Sequence, residues 1–284
     1  MQIIHAVFGS PSDEAKILPG ILEFTREHAG LEVRIYYASA DNTPDKVEGI
    51  ARQLEDERHP VVISGAGLSN VLTGSIKSKR NPHTIHIGVP ISDSSSCGLT
   101  ALLSTAEKPP MNPVLCVGVD NTYAACNIAS RFFNGLKGVA LKQPFRRNDC
   151  LTKGLEQIAK HLRDFGIEFI DLDAGEFYHG VVIVPFDYSD LSRYDRILRG
   201  GRGVQVGVSC SPVHENPEDY LGCLNDTWAT GIVSSQGYLN AVYMAALLTN
   251  NLGALLKFEE KRQRKQTDLT AHSGLIVKNG EVIR

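Results

Sequence analysis

The alternation of short apolar segments with helical segments restricts the fold of this chain more than any other feature of its sequence. Apolar runs of strand length, such as 3–8 and 61–64, are each followed by a stretch with helical periodicity. Strands separated by helices pair in parallel, because the helix carries the chain back along the sheet before the next strand begins. The sequence therefore predicts an α/β fold with a doubly wound parallel sheet, whose ligands bind beyond the carboxyl ends of the strands.

This alternation assigns most of the chain to strands or helices. Residues 275–283 are a predicted hairpin with Asn279-Gly280 as its two-residue turn. The predicted strands are 3–8, 31–37, 61–64, 84–89, 113–119, 138–141, 167–172, 180–184, 203–208 and 230–233. The predicted helices are 14–29, 44–58, 71–79, 99–107, 123–133, 149–165, 237–249 and a long polar helix from 251.

The loop Gly9-Ser10-Pro11-Ser12-Asp13, between the first strand and the first helix, is a candidate anion site. Unpaired backbone N–H groups and the helix dipole attract anions to a helix N-terminus. Two hydroxyls and a carboxylate stand beside them. Ser12 or Asp13 could equally be an ordinary helix cap with no ligand bound. The loop alone leaves both interpretations open.

The order of segments starts again after residue 134, which indicates an internal duplication. The second copy lacks the Ser-Asp loop and is too short for a helix between its second and third strands, so we expect it to be a scaffold. The matching segments are 60–64 with 180–184, 83–89 with 203–208, 113–117 with 230–233, and 123–133 with 237–249. The predicted divisions are a first domain at 1–134, a degenerate repeat at 135–250, and a helical and hairpin tail at 251–284.

Charge and cysteine content exclude several classes of function. The net charge of −3 and the isoelectric point near 6.3 indicate neither a nucleic-acid partner nor an anionic membrane. The six cysteines form no C-x-x-C pair and no metal-binding spacing, which indicates reduced thiols and no metal site. Met1 leads directly into a strand, with neither a basic n-region nor a long apolar span, so we expect a cytoplasmic protein.

Four short motifs follow one another along the first half of the chain. They are Gly9-Ser10-Pro11-Ser12-Asp13, Ser39-Ala40-Asp41-Asn42-Thr43-Pro44, Ala66-Gly67-Leu68-Ser69-Asn70 with Leu72-Thr73-Gly74, and Gly88-Val89-Pro90. Their order and spacing resemble the PurE family, the aminoimidazole ribonucleotide carboxylases and carboxyaminoimidazole ribonucleotide mutases of purine synthesis. The Ser-Asn form of the third motif is similar to the class II branch, which uses carbon dioxide directly. The resemblance covers residues 2–134 and, in degenerate form, the second copy.

The resemblance implies a fold, an assembly and a ligand. The fold is a flavodoxin-like three-layer α/β/α sandwich with a parallel sheet, here in two tandem PurE-like halves. The family forms octamers with active sites at subunit junctions, so a tandem chain is expected to be a homo-oligomer, a tetramer. The implied ligands are a ribonucleotide and carbon dioxide or bicarbonate, and the implied chemistry uses no metal or organic cofactor.

The resemblance also implies which residues bind substrate. It places Ser10, Ser12 and Asp13 at the phosphate and the ribose. It places Gly65, Ala66, Gly67, Ser69 and Asn70 around the base and the carboxylate, and it adds Gly9, Ser39 and Asn42 to the substrate-binding set.

Three positions depart from the family pattern. The family histidine that moves a proton at the reacting carbon is Asp41 here, and the basic residue beside it is Asn42. The class II arginine is Leu68. Each charge-assisted contact to a phosphate that is lost in this way costs about 1.5–3 kcal/mol. An enzyme that uses the family substrate therefore needs replacements for these groups.

Two kinds of replacement are open. Asp41 is the candidate catalytic base if burial raises its pKa toward neutrality. Alternatively, Arg146, Arg147, His179 or His214 reaches the site from the second copy.

Three functions follow from these observations. The first is carboxylation, decarboxylation or carboxylate migration on an aminoimidazole ribonucleotide, with Asp41 in place of the histidine. The second is non-catalytic binding of a nucleotide or an anion by a PurE homologue. The third is carboxylation of a different heteroaromatic nucleotide.

Overall fold

The computed structural model of the protein describes residues 2–56, 60–78, 83–144, 148–173, 175–187, 203–211, 230–234, 236–271, 276–278 and 281–283. The strands of its main sheet are β1 (Gln2–Phe8), β2 (Leu31–Tyr37), β3 (Val61–Ala66), β4 (Ile85–Pro90), β5 (Leu115–Cys116), β6 (Val139–Lys142), β7 (Phe169–Leu172), β8 (Val181–Phe186), β9 (Val204–Ser209) and β10 (Thr230–Val233). The helices are α1 (Glu14–Glu27), α2 (Pro44–Asp56), α3 (Val71–Ser78), α4 (Leu99–Ala106), α5 (Thr122–Phe133), α6 (Asp149–Phe165), α7 (Tyr238–Leu248) and α8 (Leu252–Ala271). A separate antiparallel pair consists of β11 (Ile276–Lys278) and β12 (Glu281–Ile283).

The main sheet has ten strands in the order β2-β1-β3-β4-β5-β10-β9-β8-β6-β7. Its described pairs are parallel except β5 with β10, which meet antiparallel through Cys116 and Ile232. The first five strands have the 2-1-3-4-5 order of flavodoxin-like folds. The last five repeat that order in mirror image across the antiparallel seam. A tandem duplication predicts such an order, and the duplication itself stays a prediction.

Helices cover both faces of the sheet in the first half, which gives the predicted three layers. On one face, Ile17 of α1 and Ile128 of α5 pack in the main core with Ile4 of β1. On the other face, Leu54 of α2 packs with Val7 of β1. Side chains on both faces of β1 thus enter two different cores, which explains why this strand is mostly apolar without alternation.

The main core is continuous across the seam, and it includes side chains of α5 from the first half and of α6, α7 and α8 from the second. Asn240 of α7 is buried beside this seam and connects the halves. Its side chain accepts a hydrogen bond from the backbone N–H of Met111 (2.9 Å) and donates to the carbonyls of Lys108 (3.1 Å) and Pro109 (3.2 Å). In the described part of the chain, no helix combines the length and the apolar character needed to cross a membrane.

The predicted boundaries agree with the structure to within two residues, with one exception. The strand predicted at 113–119 is reduced to Leu115–Cys116. Its neighbour β10 runs antiparallel to it, and only Cys116 is in register across the seam. The sheet is therefore mostly rather than wholly parallel. The predicted hairpin is confirmed by the pairing of β11 with β12, while its turn residues lie outside the described part of the chain.

Candidate functional site

An open cleft of about 560 Å³ lies at the carboxyl ends of β1, β2, β3 and β4. These four strands are neighbours in the sheet, so the loops that follow them meet at one edge. The chain moves outward from β1 to β2 and then returns past β1 to β3. The cleft thus lies at a topological switch point, which is where open α/β sheets bind ligands.

The cleft brings together residues from three of the four sequence motifs. The predicted site residues that line it are Gly9, Ser10, Asp13, Ser39, Asp41, Asn42, Ala66, Gly67 and Ser69. The remaining predicted residues, Ser12, Gly65 and Asn70, are not part of its lining.

In the first loop, the capping role falls to Ser10 rather than to Ser12 or Asp13. The Ser10 hydroxyl accepts a hydrogen bond from the backbone N–H of Ser12 (3.1 Å) and lies 2.7 Å from the Ser12 hydroxyl. Asp13 occupies the N-cap position of α1, but its side chain makes no capping hydrogen bond. The Asp13 carboxylate therefore faces the cleft without being used as a cap.

The Asp13 carboxyl lies in a mixed electrostatic environment. Partial burial raises its pKa above the ordinary value, and nearby Asp120 adds to the increase. The ammonium of Lys16 acts in the opposite direction and favours the charged carboxylate. A hydroxyl or a cationic group of a ligand that contacted the Asp13 carboxylate would stabilise its charged form and so lower its pKa.

The second loop presents Asp41 at an exposed position on the cleft wall. The turn beneath it is held by Ser39, whose hydroxyl accepts from the backbone N–H of Asn42 (3.2 Å). Thr43 closes the turn by accepting from the backbone N–H of Ser39 (2.9 Å). No hydrogen bond joins the Asp41 carboxylate to another described residue. The hypothesis of a base at Asp41 depends on burial, whereas this side chain is exposed in the structure.

The third loop carries an apolar side chain in an unusual backbone conformation. Leu68 has a φ of 54° and is 64% exposed at the cleft. The left-handed region is uncommon for residues other than glycine, asparagine and aspartate. Val71 is 48% exposed on the same cleft. This side of the cleft therefore offers apolar surface where the family resemblance implies an arginine.

Asn70 is buried and its side chain is used by the protein itself. Its amide nitrogen donates to the Thr105 hydroxyl of α4 (2.8 Å). Its amide oxygen accepts from the hydroxyl (3.1 Å) and, more weakly, from the backbone N–H (3.4 Å) of Thr73. Its backbone N–H donates to the Ser104 hydroxyl (2.8 Å). Asn70 thus caps α3 and ties it to α4, and ligand binding by its side chain stays a prediction.

Gly65 and Ser12 also lie away from the cleft surface. A Cβ atom at Gly65 would lie 2.4 Å from the carbonyl oxygen of Val89 and 3.1 Å from the ring of Phe8. The close approach of β3 to β4 therefore requires glycine here. Ser12 is exposed and its hydroxyl is paired with that of Ser10.

Sequence reasoning missed Lys16, which lines the cleft from the first turn of α1. Its ammonium donates a hydrogen bond to the backbone carbonyl of Ser92, in the loop after β4. The backbone N–H of Ser92 in turn donates to the Asp120 carboxylate (2.9 Å). The sequence spacing could have indicated this lysine. Lys16 follows the predicted site residue Asp13 by three positions, and residues at this spacing share a helix face.

Asp93 also lines the cleft, in the serine-rich loop between β4 and α4. One carboxylate oxygen accepts from the Ser95 hydroxyl (2.5 Å) and from the backbone N–H groups of Ser95 and Ser96, both at 2.8 Å. The other accepts from the Ser96 hydroxyl (2.6 Å). These hydrogen bonds hold the pKa of the Asp93 carboxyl well below its ordinary value, so the group remains charged.

The proposed help from the second copy is not seen in its described residues. His179 precedes β8, which is five strands away from β3 in the sheet. At about 4.8 Å per strand this is roughly 24 Å, too far for a histidine side chain, and His179 does not line the cleft. Arg146, Arg147 and His214 lie outside the described residues.

The second half carries its own polar cluster at the carboxyl ends of β8 and β9. The Asp187 carboxylate accepts hydrogen bonds from the side-chain amide of Asn148 and from the Ser211 hydroxyl, both at 2.7 Å. Asn148 also caps α6 through the backbone N–H of Leu151 (2.8 Å). These side chains therefore hydrogen-bond to one another, and the scaffold role of the second copy stays a prediction.

Comparison with known proteins gives one family match and several similar proteins. The AIR carboxylase family model matches residues 3–147. An N5-carboxyaminoimidazole ribonucleotide mutase of Pyrococcus horikoshii is 33% identical over 169 residues, which cover 58% of this chain and 92% of that protein. The protein of the same name from Methanocaldococcus jannaschii is 35% identical over 127 residues, with 45% and 76% covered.

A longer protein shows similarity as well. A phosphoribosylaminoimidazole carboxylase of Schizosaccharomyces pombe is 30% identical over 169 residues, which cover 60% of this chain but only 28% of that protein. The family match spans the part of the chain that forms the cleft.

Proposed function

The chain belongs to the AIR carboxylase family, and from that premise we propose that it carboxylates, decarboxylates or rearranges a carboxylated aminoimidazole ribonucleotide in purine synthesis. The observation that carries the proposal is the convergence of three family motifs on one cleft at the switch point of the sheet. The family match covers residues 3–147 and so includes every loop of that cleft.

Ser10 and Asp13 are proposed to bind the ribose and phosphate end of the ligand. The Ser10 hydroxyl stands at the start of a 3₁₀ turn that leads into α1, so it is beside the positive end of a helix dipole. The Asp13 carboxylate is suited to accept hydrogen bonds from the ribose hydroxyls. Ser12, on the outer side of the same turn, supports Ser10 through the hydroxyl pair.

Asp41 is proposed to move the proton at the reacting carbon. During carboxylation the ring carbon forms a bond to carbon dioxide and its proton passes to a base. During decarboxylation the acid returns a proton to that carbon as carbon dioxide leaves. A carboxylate on the cleft wall can do both when the ligand covers it, since covering excludes water and raises the affinity of the carboxylate for a proton. The remaining proposed contacts surround the imidazole ring and the carboxylate of the ligand. They come from Ser39, Asn42, Ala66, Gly67 and Ser69.

Incubation of the protein with aminoimidazole ribonucleotide and bicarbonate tests this function. We expect formation of the carboxylated ribonucleotide, and the reverse reaction when that product is supplied, both followed by chromatography. Pyridine ribonucleotides in the same assay test the related hypothesis of another heteroaromatic substrate. If calorimetry detects no binding of either imidazole ribonucleotide and neither reacts, the family substrate is wrong.

One observation favours a second candidate function, namely nucleotide binding without catalysis. The Asp41 carboxylate is exposed and has no hydrogen bond to another described residue, so the protein does not orient it as a preorganised catalytic group. In that case the imidazole ribonucleotides bind with measurable affinity but are recovered unchanged.

We also propose that the chain forms a tetramer, since a tandem chain would halve the number of subunits that the family resemblance implies. Light scattering on the purified protein is expected to give a mass of four chains. A mass of a single chain would contradict this assembly.

A further inference from the structure

The charges that line the cleft do not favour an anionic ligand. The lining residues in the described part of the chain include three carboxylates, those of Asp13, Asp41 and Asp93, and a single cation, Lys16. Like charges that share a site repel strongly when water is partly excluded. A phosphate or carboxylate on a ligand therefore needs a contact with Lys16 to offset the repulsion of these acidic groups.

The position of Lys16 suits such a contact. Its side chain begins in the first turn of α1 and is half-buried along the cleft, where its ammonium donates to the Ser92 carbonyl. An ammonium carries three donors, and this carbonyl uses one of them. The Ser92 carbonyl is uncharged, so this hydrogen bond does not neutralise the ammonium, which is also attracted by the nearby Asp13 carboxylate. The N-terminal end of α1 adds its own partial positive charge.

We propose that Lys16 binds an anionic oxygen group of the ligand, phosphate or carboxylate. It supplies the positive charge that Asn42 and Leu68 do not. The identity of the ligand in this inference rests on the proposed function, whereas the anion site at Lys16 does not.

A purely structural role for Lys16 is the alternative, because its hydrogen bond ties α1 to the loop after β4. A structural hydrogen bond of this kind contributes to the stability of the fold in the same way whether or not an anion is present. An anion site instead depends on charge, so Lys16→Arg retains most of the binding and Lys16→Gln does not.

The first experiment uses simple anions and does not depend on the ribonucleotide. Inorganic phosphate and acetate are titrated at constant ionic strength into wild-type protein, Lys16→Gln, Lys16→Arg and Lys46→Gln, and NMR shifts are recorded. Lys46 is an exposed lysine of α2 that does not line the cleft. We expect a saturable shift with at least one anion in wild type, Lys16→Arg and Lys46→Gln, and its loss in Lys16→Gln. The inference is overturned if wild type shows no saturable shift, or if Lys16→Gln shows the same shift as wild type.

The second experiment uses aminoimidazole ribonucleotide, the carboxylated riboside without phosphate, and the riboside without either group. Lys16→Gln is expected to weaken binding of the ligand whose anion it holds by about 10- to 100-fold, as for one lost charge-assisted hydrogen bond. Binding of the uncharged riboside stays the same. An equal loss for all three ligands, or for none, contradicts the site. Phosphate binding through Lys16 without any binding of the ribonucleotides would refute the proposed function and leave the anion site intact.

Discussion

Replacement of Asn70 by alanine is expected to lower the free energy of unfolding by about 3 kcal/mol. The substitution removes the N-terminal cap of α3, which is worth about 1 kcal/mol. It also removes the buried hydrogen bond to Thr105 and leaves Thr73 without its side-chain acceptor at Asn70, and such buried losses cost about 1–3 kcal/mol. Urea unfolding followed by circular dichroism measures the change.

The matched control is the same substitution at Asn42. Asn42 is exposed, and the turn around it is held by its backbone N–H, which alanine retains. We expect Asn42→Ala to change the free energy of unfolding by less than about 0.5 kcal/mol. Equal effects at the two positions would mean that Asn70 does not hold α3 to α4. A stable Asn70→Ala protein that had lost only ligand affinity would instead support its predicted role in binding.

The ends of several elements could be predicted because their signals are local. Helix α6 matches its predicted bounds at both ends, with the Asn148 side chain capping its start and Gly166 in a left-handed conformation at its end. The strands β3 and β4 are apolar except for Ser64 and His86, because they are buried on both faces. Four collinear motifs were enough to predict the family, which the comparisons confirm.

The contacts that decide each residue's role were not predictable, because they join distant parts of the chain. Asn70 stands in a ligand-binding motif, yet its partners Ser104 and Thr105 are 34 and 35 residues away. Lys16 belongs to no motif, and its partner Ser92 is 76 residues away. The antiparallel pairing of β5 with β10 likewise depends on how the two halves meet, for which a local pattern carries no signal.

Replacement of Asp41 by asparagine is expected to have the largest effect on activity. A general acid or base contributes about 10²- to 10⁴-fold to a rate, and asparagine keeps the shape of aspartate without accepting the proton. We therefore expect kcat for carboxylation and for decarboxylation to fall by that factor, while calorimetry gives an unchanged Kd for the ribonucleotide. Asp45→Asn is the control, because Asp45 is exposed in the first turn of α2 and does not line the cleft.

The combination of rate and affinity separates the candidate roles of Asp41. A loss of kcat with constant Kd identifies a group that acts only when the bond at the ring carbon forms or breaks. A loss of affinity without a change in kcat would make Asp41 a binding residue and would require another proton carrier in the cleft. If wild type binds the ribonucleotide without turnover, and Asp41→Asn binds it equally or more tightly, the cleft is a nucleotide-binding site in which aspartate has replaced a catalytic histidine without inheriting its chemistry.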